Sequence, residues 1–365
     1  MGNESVLRGR FDWGVFGLAL AVSVVGIVFI WSASSTAGKD SYALRQVIWL
    51  LVAVAGYFGV VLFGGWRLRR VAVVLFGVGV AALVAVLIFG EVVKGARRWV
   101  VVGPLRFQPS EFAKPVFVLL LAHLMASRKP QGVRGLVLPL AATALVAAPV
   151  AAEPDLGTAL VFLPVAAVML FVCGLPKRWL FVGAALVAVT APLGFGMLKP
   201  YQRQRLLAFL NPRKAQLTEG YQILQSEVAV GSGGLWGKGL RCGVHNALNL
   251  LPERHTDFIF SVVAEEWGFA GSVLVLCLLF GLVFLGFRCA GVADNRFSAA
   301  LGAGVATLIA VQTFVNVGMV TRMMPITGLP LPFVTYGGSA LVSSWLCAGL
   351  LSVGRACRRE PLMDA

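Results

Sequence analysis

Charge is scarce in this 365-residue chain: 13% of its residues are Asp, Glu, Lys or Arg, against roughly a quarter in an average soluble protein. With 58% of residues hydrophobic, this excludes a disordered chain and an ordinary soluble core. Acids are scarcer still, 16 against 31 bases for a net charge of +15, yet no polar domain gathers those bases, which argues against a nucleic-acid binder. The three histidines, His123, His245 and His255, show no metal-helix spacing. Cysteine is sparse, and of the six only Cys242 falls outside the spans and the inner side in the topology read below, so no intramolecular extracellular disulfide is expected.

What is present is a succession of apolar runs of about 17–22 residues, each long enough to cross a ~30 Å hydrocarbon layer as a helix. Ten spans are expected, at 13–31, 46–64, 71–90, 112–126, 135–151, 156–174, 179–198, 258–287, 297–317 and 333–353. They are helical because backbone polar groups in lipid need partners within their own segment. The expected fold is an all-α polytopic membrane protein, one domain over 1–365, with a long extracellular loop at 199–257 between the seventh and eighth helices.

Alternate short loops carry Arg67, Arg69 and Arg70, then Arg128, Lys129 and Arg134, then Lys177 and Arg178, then Arg288 and Arg296, with Arg355, Arg358 and Arg359 in the tail. This positive-inside pattern places both termini in the cytoplasm. Arg8 and Arg10 precede the first span, which lacks a small-residue cleavage site and reads as retained.

The other side should be poor in bases, yet 91–114 holds Lys94, Arg97, Arg98, Arg106 and Lys114, and the long loop adds Arg203, Arg205, Arg213, Lys214, Lys238, Arg241 and Arg254. Long loops escape the charge rule; the first loop is short. A cationic surface at headgroup level suits a diphosphate-linked lipid.

Ionisable residues gather at helix ends, where charge near membrane depth is usually functional. Glu111 and Lys114 at i, i+3 share a helix face behind a candidate N-cap, Ser110, with Pro115 expected in or near the first turn. They bind substrate or form a structural ion pair. Asp155, after Glu153 and Pro154, caps the next helix or answers Lys114 or an arginine across the bundle. In the long loop, 205–210 and 220–230 look like short interfacial helices. The glycines of 231–239 would let backbone approach a phosphate, but the spacing is not a Walker loop. Asp257, beside Arg254, Phe258 and Phe260, is placed as a general base or as an N-cap, and Glu265 and Glu266 follow about two turns into the next span. Pro325, Pro330 and Pro332 then interrupt an apolar stretch, and such backbone is tolerated only where protein or a polar cavity covers it. That segment, with Thr327 and Ser339, is expected to line the cavity.

At Trp31-Ser32-Ala33-Ser34, Gly95-Ala96-Arg97-Arg98-Trp99, Gln108-Pro109-Ser110-Glu111, Pro154-Asp155-Leu156-Gly157-Thr158, Tyr201-Gln202 with Arg205, Gln225-Ser226, 231–239, 252–258 and 325–339, the chain resembles the SEDS family (shape, elongation, division and sporulation proteins). Within that family it resembles the RodA branch more than the FtsW branch. The resemblance implies a ten-span peptidoglycan glycosyltransferase that polymerises lipid II at the outer face of the bacterial cytoplasmic membrane. It also implies a class B penicillin-binding protein as partner in the elongation machinery. The family's essential acid falls on Asp257 and its polar cavity residues on Glu111, Lys114 and Asp155; Arg98, Gln202, Arg205, Thr327 and Ser339 are the further substrate-binding candidates. Where relatives often have Gln before the Pro-Asp pair, this chain has Glu153. Asp257 is expected to take a proton from the acceptor hydroxyl while Arg98, Lys114, Arg205 or a divalent cation such as Mg2+ or Mn2+ neutralises the departing diphosphate; no other cofactor is expected. A lipid II flippase and an FtsW-like division polymerase are the alternatives, and a scaffold would leave the charges at membrane depth unexplained.

Overall fold

The structure, a computed structural model, describes residues 11–357 except 36–40, 94–95, 104, 128–129, 131, 195, 197–199, 213–218, 245–247, 249 and 252. Arg8, Arg10, Lys94, Gly95, Arg128, Lys129, Arg213, Lys214, His245, Pro252, Arg358 and Arg359 therefore lie outside the described residues.

Twelve helices are described: α1 Trp13–Ser35, α2 Ser41–Phe63, α3 Gly65–Phe89, α4 Pro109–Ser127, α5 Gly132–Ala152, α6 Leu156–Val172, α7 Lys177–Gly194, α8 Pro200–Leu210, α9 Glu219–Ser232, α10 Ile259–Val292, α11 Arg296–Val320 and α12 Gly338–Ala356. Eight of them, α1–α5 and α10–α12, are long and apolar enough to cross a membrane, and α6 is a shorter apolar helix. Together with α7 they occupy the ten expected spans. The short helices α8 and α9 fall in the long loop, where 205–210 and 220–230 announced them.

The most buried spans are α4, α11 and α12, while α3 keeps most of its surface toward lipid. At the centre, α11 packs on α10, α6, α4 and α12. Small residues permit this closeness, as expected where lipid offers helices no hydrophobic drive to associate. A Cβ on Gly286 of α10 would lie 2.7 Å from the Cβ of Ala306, and one on Gly304 2.7 Å from Met169 of α6.

Three departures from the sequence expectation matter. First, the short loop after α3 is a three-stranded antiparallel sheet, β1 Glu91–Val93, β2 Ala96–Val102 and β3 Leu105–Phe107. Val100 pairs with Phe107 and Val102 with Leu105, and Arg98 projects from β2.

Second, α4 begins at Pro109, so Ser110 is not its N-cap; instead Ser110 Oγ accepts from Gln108 Nε2 at 3.1 Å. Proline suits a helix's first position because its missing N–H is not needed there. Pro115 consequently sits beyond the first turn and deprives the Glu111 carbonyl of its helical donor. The Ser343 hydroxyl of α12 supplies the replacement at 2.6 Å.

Third, the last helix starts at Gly338 rather than near 333, since residues 321–337 run irregularly through Pro325, Pro330 and Pro332. The segment is moored by Gln46 of α2, whose Nε2 donates to Thr335 O at 3.2 Å and whose Oε1 accepts from Gly337 N at 3.2 Å.

Candidate functional site at the sheet-bearing end of the bundle

Following the chain up and down the bundle, the ends of α1, α3, α5 and α11 and the starts of α4, α6, α10 and α12 share one end with the sheet. Besides Arg98 on β2 and Gln202 and Arg205 on α8, four segments carry the candidate residues there. The start of α4 supplies Glu111 and Lys114, both buried, with Lys114 Nζ donating to Glu111 Oε1 at 2.6 Å. The start of α6 supplies Asp155, whose carboxylate accepts from Thr158 N at 3.2 Å as the helix N-cap and also lies 3.9 Å from Arg98 Nη1. Both sequence readings of Asp155 thus hold, with Arg98 as the arginine across the bundle.

The third segment is 325–339. The carbonyl of Thr327 packs so closely on α6 that a Cβ on Gly157 would lie 2.7 Å from it. Ser339 Oγ accepts from Gln108 N at 3.1 Å, which joins the start of α12 to the start of α4. The Thr327 hydroxyl is buried with no hydrogen-bond partner.

The fourth is the 253–258 turn. Phe258, not Asp257, occupies the N-cap position of α10, so the capping alternative for Asp257 does not hold. Instead its backbone is fixed: three successive carbonyls each receive a hydrogen bond. Tyr336 N donates to His255 O at 3.0 Å, Thr335 Oγ1 to Thr256 O at 3.5 Å, and Asn316 Nδ2 to Asp257 O at 2.9 Å. The carboxylate lies over Gly328, where a Cβ would come 3.6 Å from Asp257 Oδ2. Gln202, buried, and Arg205, half-buried, lie on α8, which packs on α9.

Much of the basic charge at this end is engaged by the protein itself. Arg98 donates through Nε to Glu153 O at 2.9 Å and through Nη2 to Pro154 O. Arg254, buried, donates through Nε to Ala33 O at 2.8 Å, and Arg241 stacks 4.7 Å over Trp31. Lys238 pairs with Glu265 at 2.8 Å. The cationic surface expected for a lipid diphosphate is therefore also an internal frame.

The profile of the FtsW, RodA and SpoVE cell cycle proteins matches residues 12–358. The chain belongs to this family. Its similarity to the peptidoglycan glycosyltransferase MrdB of Escherichia coli K12 is 39% identity over 338 residues, covering 89% of this chain and 88% of MrdB. Among solved structures, it resembles a chain of a peptidoglycan synthase complex studied for the coordination of polymerization and crosslinking. That likeness has a TM-score of 0.82 and 36% identity, covering 96% of this chain and 99% of that one. It also resembles Thermus thermophilus rod shape determining protein RodA, with a TM-score of 0.73 and 33% identity, covering 96% and 98% of the two chains.

Within this FtsW/RodA/SpoVE chain, the glycine-rich stretch has a different task from the one its composition suggested. At Gly268 (φ 65°) the α10 helix breaks, which frees the carbonyls of Glu265 and Glu266 and the N–H groups of Phe269 and Ala270. The 231–239 segment meets all four: Lys238 N and Gly239 N donate to the carbonyls, and Gly234 O and Leu235 O accept from the N–H groups. A Cβ on Gly237 would lie 2.1 Å from Glu266 O. These glycines admit a helix backbone, not a phosphate. The side chains of the acidic pair are also taken, Glu265 by Lys238 and Glu266 by Ser32, whose Oγ lies 2.6 Å and 2.7 Å from the two carboxylate oxygens.

Two residues at the site went unassigned in the sequence. Glu153 is fully buried and neither carboxyl oxygen has a hydrogen-bond partner. Loss of hydration, then the neighbouring Asp155 charge, push its carboxyl up to about 8 against the opposing pull of Arg98. Asn316 is the other; a polar amide inside an apolar span was the available signal.

Proposed function

We infer that this chain is a peptidoglycan glycosyltransferase that polymerises lipid II into β-1,4 glycan strands at the outer face of the bacterial cytoplasmic membrane. The observation that carries this reading is the fixed Asp257 turn beside the 325–339 segment, set among the buried charges of α4 and α6 in a family whose relatives bear that activity by name. The similarity to MrdB and to RodA supports a role in elongation and rod shape.

Arg67, Arg69, Arg70, Lys177, Arg178, Arg288, Arg296 and Arg355 all lie at or near the bundle end opposite the sheet. By the positive-inside rule that end is cytoplasmic, with both termini there, and the candidate site faces outward.

In the reaction, Asp257 accepts the proton of the acceptor sugar's 4-hydroxyl as that oxygen bonds to the anomeric carbon of the donor. The bond from that carbon to the diphosphate oxygen breaks with inversion, and undecaprenyl diphosphate leaves with the electron pair. Arg98, Lys114 and Arg205 are the candidates to receive that negative charge, and Gln202, Thr327 and Ser339 to orient the sugars. Low dielectric at this depth strengthens each such contact.

Among the described residues no three of His, Cys, Asp and Glu converge to bind a metal ion. A divalent cation carried with the substrate's diphosphate would supply charge neutralisation there. The likeness to a chain of a synthase complex supports a penicillin-binding protein of class B as the partner that crosslinks the strands.

The test is Asp257→Asn in purified protein with its partner, incubated with labelled lipid II. Loss of glycan ladders by a factor of about 100 or more is expected, the usual scale for removing a general base; undiminished ladders would overturn the assignment. Movement of labelled lipid II across liposomes without polymer would favour the flippase instead.

A further inference from the structure

We propose that Asn316 is the positioning residue that holds Asp257 in register with the Thr327-bearing segment, an inference that rests on Asp257 being the general base. Asn316 lies within α11, fully buried. Burying an amide at this depth is costly; its Nδ2 donates to Asp257 O at 2.9 Å and to Leu329 O at 2.8 Å, while Oδ1 is buried without a hydrogen-bond partner.

Along the chain those two carbonyls are separated by the whole of α10 and α11. Neither is helical, so each is held in place by bonds from other elements. Of the three bonds on the 255–257 carbonyls, those from Tyr336 and Thr335 come from the irregular segment itself. The bond from Asn316 alone of the three comes from a helix, one of the most buried in the bundle. Asn316 therefore refers both segments to one rigid element, as a positioned catalytic group requires.

Gly328, between Thr327 and Leu329, lies against the Asp257 carboxylate at positive φ (74°). A shift of Leu329 is thus transmitted to the carboxylate's immediate surroundings within one residue. A misplacement of about 1 Å at a reacting group costs on the order of 100-fold in rate, with little reason for substrate binding to suffer equally.

The experiment is steady-state lipid II polymerisation by the purified chain with its crosslinking partner, comparing Asn316→Leu, Asn316→Ser, Thr313→Val and Asp257→Asn, with thermal melts to establish folding. Thr313 is the control: it lies one turn earlier on α11, buried, and its hydroxyl has no hydrogen-bond partner. The expected result is a kcat for Asn316→Leu lower by roughly 10- to 100-fold with KM within threefold. Asn316→Ser, which retains one donor, should fall in between, and Thr313→Val should match the parent.

The proposal is overturned if Asn316→Leu keeps kcat within twofold, if only KM moves, or if Thr313→Val loses as much. Should Asn316→Leu not fold, Asn316→Ser carries the test through a kcat loss of at least about threefold; if neither folds, the residue is structural and the proposal falls. Asp257→Asn separates the two ideas. An inactive Asp257→Asn beside a normal Asn316→Leu sinks the positioning role alone, whereas an active Asp257→Asn removes the base and this inference with it.

Discussion

Replacing Glu153 by Gln should change how the protein's stability depends on pH while leaving its shape almost unaltered. The side chain sits in the turn between α5 and α6, fully buried, with both oxygens unpartnered. An ionised carboxylate is poorly tolerated there, and its pKa rises from 4.5 to about 8. Over that interval the folded protein holds a proton that the unfolded chain has released. The stabilisation is thus complete below pH 4.5, declines by about 1.4 kcal/mol per pH unit above it, and is lost once pH passes the folded-state value. Between pH 5 and pH 9 the loss from this group is about 4 kcal/mol.

Glutamine presents a neutral amide of the same size at every pH, so Glu153→Gln should remove that decline. Thermal unfolding in lipid nanodiscs, scanned identically for parent and variant from pH 5 to pH 9, reads the difference. For a chain of this length, about 4 kcal/mol corresponds to roughly 4–8 °C in the midpoint, extrapolating the usual size dependence. The variant's midpoint should gain on the parent's steadily as pH rises. Parallel curves would refute the reasoning, because they would mean that Glu153 is ionised and solvated in the folded protein or hydrogen-bonded to a group that compensates it.

Two further substitutions test the frame around the site. Lys114→Met leaves Glu111 buried without its cation and should cost roughly 3–5 kcal/mol of stability, the range for breaking a buried pair from one side; adding Glu111→Gln should restore part of the melting temperature without restoring polymerisation. Gly237→Ala forces a side chain into a backbone at φ 80° and against the Glu266 carbonyl, so the loop must leave the α10 kink. A loss exceeding about 2 kcal/mol is expected in a melt, and a variant melting like the parent would mean that the loop does not seal the kink.

The membrane architecture was legible because its determinant is local: a run of apolar residues needs nothing distant to become a span. The same holds for the Glu111–Lys114 pair, set by a spacing of three on one helix, and for Asp155, whose capping role follows from its place before Leu156. The sheet was hidden for the opposite reason. Arg97 to Val102 alternates poorly, and its pairing is decided by β1 and β3, which are three residues each. Pro115 was misplaced through dependence on where the helix begins, and Pro109 rather than Ser110 sets that point.

The glycine-rich stretch shows where sequence reading loses its grip. Glycine declares that something comes close but not what, and a phosphate and a peptide carbonyl make the same demand on space. Here the answer depended on a break about 30 residues downstream in α10, at Gly268, where four unpaired backbone groups had to be met in a region without water. The same requirement governs Asp257. A carboxylate can serve at the membrane boundary only if the turn that carries it has its own carbonyls bonded, and the donors are Tyr336 N, Thr335 Oγ1 and Asn316 Nδ2, all remote in sequence. An isolated acid in a loop is easy to find; the groups that hold it still are visible only once distant segments have been brought together.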